Sequence, residues 1–161
     1  NFGGEDRECI VQSEAMSETE REEFLDKFQV QDRNILIGFC VLGGIFGEGI
    51  DLKNDRLIGV MIVGTGLPQV CDEREILKGY FNASGEEGFD YSYRFPGMNK
   101  VLQAAGRVIR TMEDVGIIAL LDERFLQQSY RRLFPLEWQR FETVTVDNIA
   151  KKVERFWDQW L

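Results

Sequence analysis

The stretch NILIGFCVLGG, residues 34–44, is apolar almost without a break from Ile35 to Leu42 and then turns to glycine. An apolar run of strand length without alternation is expected of a parallel strand covered on both faces. It continues as GGIFGEGIDL, residues 43–52, where Gly43, Gly44, Gly47 and Gly49 fall within seven positions. Such glycine density permits tight turns and close approach of a ligand to the backbone. A second apolar run, RLIGVMIVG (56–64), ends in the turn TGLPQ, and a third, VGIIALLD (115–122), ends at Asp122. ECIVQS (8–13) reads as a shorter strand. Between the strands lie helical segments. SETEREEFLDKF (17–28) opens on a capping box, with Ser17 as N-cap and Glu20 three residues on, and buries Phe24, Leu25 and Phe28. CDEREILKGYF (71–81) and MNKVLQAAGRVIRTM (98–112) follow, the second with Pro96 just before it. The intervening NASGEEGFDYSYRFPG (82–97) reads as an acidic loop with interspersed aromatics. The remainder offers ERFLQQSYRRLF (123–134), a short strand at TVTV (143–146), and an amphipathic helix NIAKKVERFWDQWL capped by Asp147. Strands alternating with helices imply an α/β domain with a mostly parallel sheet flanked by helices, and such sheets bind ligands where loops leave the carboxyl ends of the strands.

Composition narrows the chemistry. The 161 residues are 43% hydrophobic, which suits one globular domain with its own core. No apolar run approaches the ~20 residues that span a bilayer. The chain opens at Asn1 on polar sequence, as expected of a piece of a longer protein, so that a missing signal peptide says little about its expected cytoplasmic location. Its net charge is −9, with nine acids against three bases in residues 1–30 and seven of each in residues 122–161. That balance argues against a surface that coats nucleic acid but leaves room for a local basic groove. The absence of histidine excludes Ser-His-Asp and Cys-His catalysis and every His-ligated metal site. Cys9, Cys40 and Cys71 are far apart and read as buried free thiols of a reducing compartment.

The helix at QAAGRVIR (103–110) carries the most pointed pattern. At helical spacing Gln103, Gly106, Arg107 and Arg110 share an arc of roughly 100°. Val101, Leu102, Ala105, Val108, Ile109 and Met112 take the other side. Glycine inside a helix costs about 1 kcal/mol against alanine, so Gly106 suggests that something comes close to the backbone there. A solvated face with weak ion pairs is one reading of the stripe. The other is a site for a multiply charged, planar-oxygen ligand, because two guanidinium forks with no acid among them suit a phosphate chain. The glycine loop alone is equally open between a plain turn and a ligand loop, since it matches neither standard phosphate-loop pattern. Glu48 and Asp51 cannot hold phosphate, although a carboxylate accepts bonds from ribose hydroxyls.

Taken together, GGIFGEGIDL resembles motif V and QAAGRVIR resembles motif VI of superfamily 2 DNA helicases, in the form found in the DinG/XPD-like branch. Order and spacing fit, with LIGVMIVGTGLP between the motifs and GIIALLDERF after them, and the resemblance runs from about Glu8 to Phe134. It implies a RecA-like domain of P-loop NTPase type, the second of two that sandwich ATP and translocate on single-stranded DNA. Residues 1–135 would form that domain, with its opening strand and motif IV lying before Asn1, and 136–161 a helical extension packed on it. Arg107 and Arg110 match the motif VI arginines that reach the γ-phosphate, and Gln103 the glutamine that couples the nucleotide to the domain interface. Gly47, Glu48, Gly49 and Asp51 match the motif V string that links nucleotide state to DNA. Asp122 and Arg124, in LDERF, match an element beside the cleft. ATP and Mg²⁺ would be held mainly by a first domain, which also houses the iron–sulphur cluster of many relatives. The chain by itself would then be inactive, and the whole would serve DNA repair with 5′ to 3′ movement. Arg94 and Lys100 are candidates to approach DNA, whereas Tyr93 and nearby aromatics are expected to pack the loop, with approach to DNA the alternative. Two competing readings are a non-catalytic nucleotide- or partner-binding module and a dinucleotide-binding oxidoreductase domain. The second would need its glycine loop after the first strand.

Overall fold

The computed structural model describes residues 7–29, 35–46, 57–109, 111 and 113–160. Strand β1 (Arg7–Val11) is followed by α1 (Glu18–Asp26) and β2 (Ile35–Phe39), then by β3 (Gly59–Val63) and α2 (Asp72–Ala83). A π-helical turn (Asp90–Arg94) runs directly into α3 (Phe95–Ala105), and β4 (Ile117–Leu121) comes next. A 3-10 turn (Glu123–Leu126), α4 (Gln128–Arg131), a second 3-10 turn (Leu136–Arg140) and α5 (Ile149–Trp157) complete the order.

All four strands pair in parallel. β1 lies beside β2 with Cys9 opposite Ile37, and β3 beside β4 with Met61 opposite Ala119. The architecture is therefore α/β, with the expected parallel strands arranged as two pairs among the described residues. Each pair is joined through a helix, as parallel neighbours require.

The strands are not covered on both faces as their apolar runs suggest. Val60 and Ile62 turn toward a core of Met98, Val101, Ala105, Phe125 and Tyr130. Met61 and Val63, on the alternate face, are 72% and 76% exposed. Successive strand residues point to opposite sides, and α3 packs on one side only. Ile35 and Phe39 at the ends of β2 are likewise exposed.

Local sequence signals fare unevenly. The capping box of α1 is present, with the Ser17 N–H donating to Glu20 Oε2 at 2.7 Å and Phe24 buried above it; Leu25 and Phe28 are half-buried. The expected loop at 82–97 is mostly helical. Gly85 supplies a left-handed turn (φ +82°), after which the stacked pairs Phe81–Tyr91 and Phe89–Tyr93 hold a helical segment against α2. TVTV forms no strand, because no neighbour offers it a ladder, and Val146 is 93% exposed. Helix α5 starts one residue later than expected, after Asn148, whose Oδ1 accepts from the Thr145 N–H. All three cysteines are exposed rather than buried. Cys9 lies on the open side of β1, Cys40 follows the end of β2, and Cys71 is the N-cap of α2.

Candidate functional site

The helix carrying Gln103 is held by its first turns. Pro96 has no N–H to offer the carbonyl four residues back, Ser92 O. Arg74 of α2 supplies the missing donor, its guanidinium bonding Ser92 O at 2.8 Å. The helix widens there, with the Phe95 N–H reaching back five residues to Asp90 O. Asp90 is buried (3% exposed), and its carboxylate accepts from both Arg94 and Arg132. Arg94 also lies over the rings of Phe89 and Tyr130, at 5.3 and 5.2 Å. Tyr93 donates to Glu75 at 2.6 Å, and that bond holds its phenol in the protonated form, with the pKa pushed up to about 12. Tyr93 and Arg94 are thus engaged in packing within the domain, as the loop-packing reading of Tyr93 expects. Lys100 lies along Gly43, where a Cβ would fall 2.8 Å from its Cδ. A φ of +76° at Gly43 keeps that position for glycine.

Helix α3 then crosses the β3–β4 pair from one end to the other. At its start Gly97 lies against the carboxyl end of β3, so close that a Cβ would stand 2.6 Å from Thr65 O. At its finish Val108 packs on Gly116, beside Ile58, at the amino ends of β4 and β3. The buried side is complete, with Val101 at 0% and Ala105 at 1% exposure.

The helix stops at Ala105, with Gly106 as C-cap, instead of running on through Met112. Gly106 sits at the helix end with φ −65° and ψ 0°, so the cost of a glycine in a helix interior does not arise. Gln103 is exposed, Arg107 half-buried and Val108 buried, while Ile109, assigned to the apolar side, is 47% exposed. The helical arc therefore holds only as far as Gly106. Gly106 itself is exposed, and among the described residues a Cβ there would meet the Leu102 carbonyl oxygen at 3.2 Å and that of Gln103 at 3.7 Å. Arg110, Gly47, Glu48, Gly49 and Asp51 lie outside the described residues.

Asp122 and Arg124 are placed elsewhere. Asp122 caps the 3-10 turn after β4, accepting from the Arg124 backbone at 2.9 Å and from its guanidinium at 2.9 and 2.7 Å. The Arg124 hydrogen bonds hold the Asp122 carboxyl below the usual range, and the same pair raises Arg124. This pair occupies the carboxyl end of β4, whereas Arg107 sits toward the amino ends of the strands. The structure thus brings Gln103 and Arg107 together and separates them from Asp122–Arg124. The Asp90 clamp went unnoticed in the sequence, although an Asp and an Arg four apart just ahead of Pro96 were visible there. Among the described residues no group of His, Cys, Asp or Glu is placed to hold a metal ion. No helix among them is long and apolar enough to cross a membrane.

The site belongs to a parallel α/β domain, with glycines after β2 and Arg107 just past the end of α3. Residues 3–141 match the family described as helicase C-terminal domain, and the chain belongs to that family. Its relatives include the regulator of telomere elongation helicase 1 homolog of Caenorhabditis elegans, 30% identical over 132 residues. That match covers 74% of this chain and 13% of the relative. A probable ATP-dependent helicase of Methanocaldococcus jannaschii is 26% identical over 163 residues, covering 93% of this chain and 24% of that protein. Among solved structures an XPD helicase superposes with a TM-score of 0.60 at 27% identity, over 77% of this chain and 22% of that one. The chain is thus the C-terminal helicase domain of an XPD/DinG-like protein, and it spans a quarter or less of the length of these relatives.

Proposed function

We propose that this domain is the second motor half of an ATP-dependent DNA helicase, its α3 stripe facing ATP that a first RecA-like domain holds. The observation that carries the reading is the form of α3. One face is among the most buried surfaces of the described residues, while Gln103 and Gly106 are exposed on the other and half-buried Arg107 follows directly after the helix end. The guanidinium of Arg107, with that of Arg110, would engage the phosphoryl oxygens as negative charge develops on them, and an arginine stays charged throughout. Gln103, one turn earlier, would report the state of the nucleotide to the domain interface. Gly47, Glu48, Gly49 and Asp51 would pass it on to single-stranded DNA. Mg²⁺, bound with ATP, would neutralise phosphate charge on the first domain's side. Residues 136–161 would serve as an extension packed on this domain.

The test is ATP turnover with saturating single-stranded DNA in the intact protein, set beside nucleotide affinity. Arg107→Lys should lower turnover while leaving affinity near wild type, because one ammonium cannot reproduce a fork of donors. The 161-residue chain alone should hydrolyse no ATP above background. Turnover by the isolated chain, or full activity in Arg107→Lys, would remove the reading.

A further inference from the structure

Tyr93 and Arg94 are engaged inside this acidic domain, so a single strand needs a contact elsewhere on its surface. A groove of about 520 Å³ lies between α4 and the turn Leu136–Arg140. Gln128, Arg131, Phe134, Trp138, Gln139 and Phe141 line it, and no carboxylate does, although the chain carries a net charge of −9. Its rings meet edge to face, Phe134 with Trp138 at 5.5 Å and 74°, and Phe134 with Phe141 at 5.8 Å and 79°. The Arg131 guanidinium stands 4.8 Å over the Phe141 ring. Phe134 and Trp138 are packed against the core, whereas Phe141 and Arg131 are exposed. The groove therefore has an aromatic floor and an exposed cation at its lip.

We propose that this groove holds one unpaired nucleotide of single-stranded DNA, stacked on the exposed aromatic face with its phosphate at Arg131. The inference rests on the motor reading above. Base stacking on aromatic rings tolerates any sequence, as a translocating motor needs, and an arginine can serve phosphate and base together. The amides of Gln128 and Gln139 each offer a donor and an acceptor, so neither demands a particular base. The volume lies within the few hundred to a thousand Å³ usual for ligand sites. A local cationic aromatic groove on an acidic exterior also concentrates a polyanion in one place.

The experiment measures binding of a fluorescein-labelled oligothymidylate to the intact protein by anisotropy, across a salt series. Arg131→Glu and Phe141→Ala should each weaken binding about tenfold. Arg131→Glu should also flatten the dependence of log Kd on log salt by about 0.7, the share of one phosphate on a single strand. Arg131→Lys should restore the slope. Photocrosslinking of wild type with 5-iodouracil oligonucleotide should map to the peptide holding Trp138 and Phe141, a result independent of how the variants fold. Crosslinks confined to other peptides, or variants that bind and respond to salt as wild type does, overturn the groove. If they do so while DNA still binds and stimulates ATP turnover, the groove falls and the motor reading stands. If wild type binds no single-stranded DNA, both fall.

Discussion

The two ends of α3 contrast sharply. Its beginning is fastened by the Asp90 carboxylate between Arg94 and Arg132, by Arg74 on Ser92 O, and by backbone contact between Gly97 and Thr65. Its end stops at an exposed Gly106, with Ile109 beyond it turned to solvent. A polar side chain can be aimed at a ligand outside the domain only if the element behind it is held in place. The fastened end costs a buried ion cluster, whereas the other end only tightens its turn, the Arg107 N–H donating to Ala104 O at 3.2 Å and the Val108 N–H to Ala105 O at 3.1 Å. The difference separates residues that should govern stability from residues that should govern turnover.

Four substitutions test that separation. Arg107→Ala, just past the exposed end, should lower ATP turnover in the intact protein by on the order of 10³-fold, about 4 kcal/mol, at the low end for an arginine that meets transition-state charge. Its melting curve should stay close to wild type, and unfolding as the sole cause of lost activity would erase the contrast. Asp90→Asn, at the fastened end, should do the reverse. It leaves two guanidinium groups around a buried amide and should cost about 3 kcal/mol of stability, read by urea denaturation.

Gly97→Ala places a methyl where Thr65 O stands at 2.6 Å. Overpacking against backbone should destabilise by about 2 kcal/mol, and a neutral result would mean that the start of α3 can shift. Tyr93→Phe is the gentlest and is read through pH. The folded-state pKa of Tyr93, raised to about 12 by Glu75, lies above the ordinary tyrosine value. Its contribution is therefore complete below about pH 10 and is lost as pH rises toward the folded value. Thermal melts across that alkaline range should fall steeply for wild type and less so for Tyr93→Phe. Parallel curves would show that the bond to Glu75 does not couple to folding.

Much of this was legible in the residues. Three long apolar runs and ECIVQS located the strands, and Ser17 with Glu20 located the start of α1. The exposed positions Gln103 and Gly106 were visible as a stripe, because side-chain spacing along a helix is a local property, whereas Arg107 falls just past the helix. The end of α3 was not, since the apolar period continues through Val108 and Ile109 and masks Gly106 as a terminator. Residues 82–97 were misread as a loop because their helix depends on stacking between Phe81 and Tyr91 and on Arg132, some forty residues away. Arg94 offered the same charge as a DNA contact would, and only the burial of Asp90 distinguishes the two. The exposed faces of Met61 and Val63 were hidden for a related reason, since an apolar run does not say whether one face or both will be covered.

The bond from Arg74 to Ser92 O makes the effects of two distant positions depend on each other. With Pro96 in place, Arg74→Ala leaves that part-buried carbonyl without its donor and should be harmful. With Pro96→Ala, the restored N–H can bond Ser92 O in ordinary helical register, and Arg74 becomes dispensable there. The pair should thus show epistasis, the loss of Arg74 being tolerated only after the loss of Pro96. Chains that keep this proline should keep an arginine or another long donor at position 74, and chains that have lost it should be free to vary there.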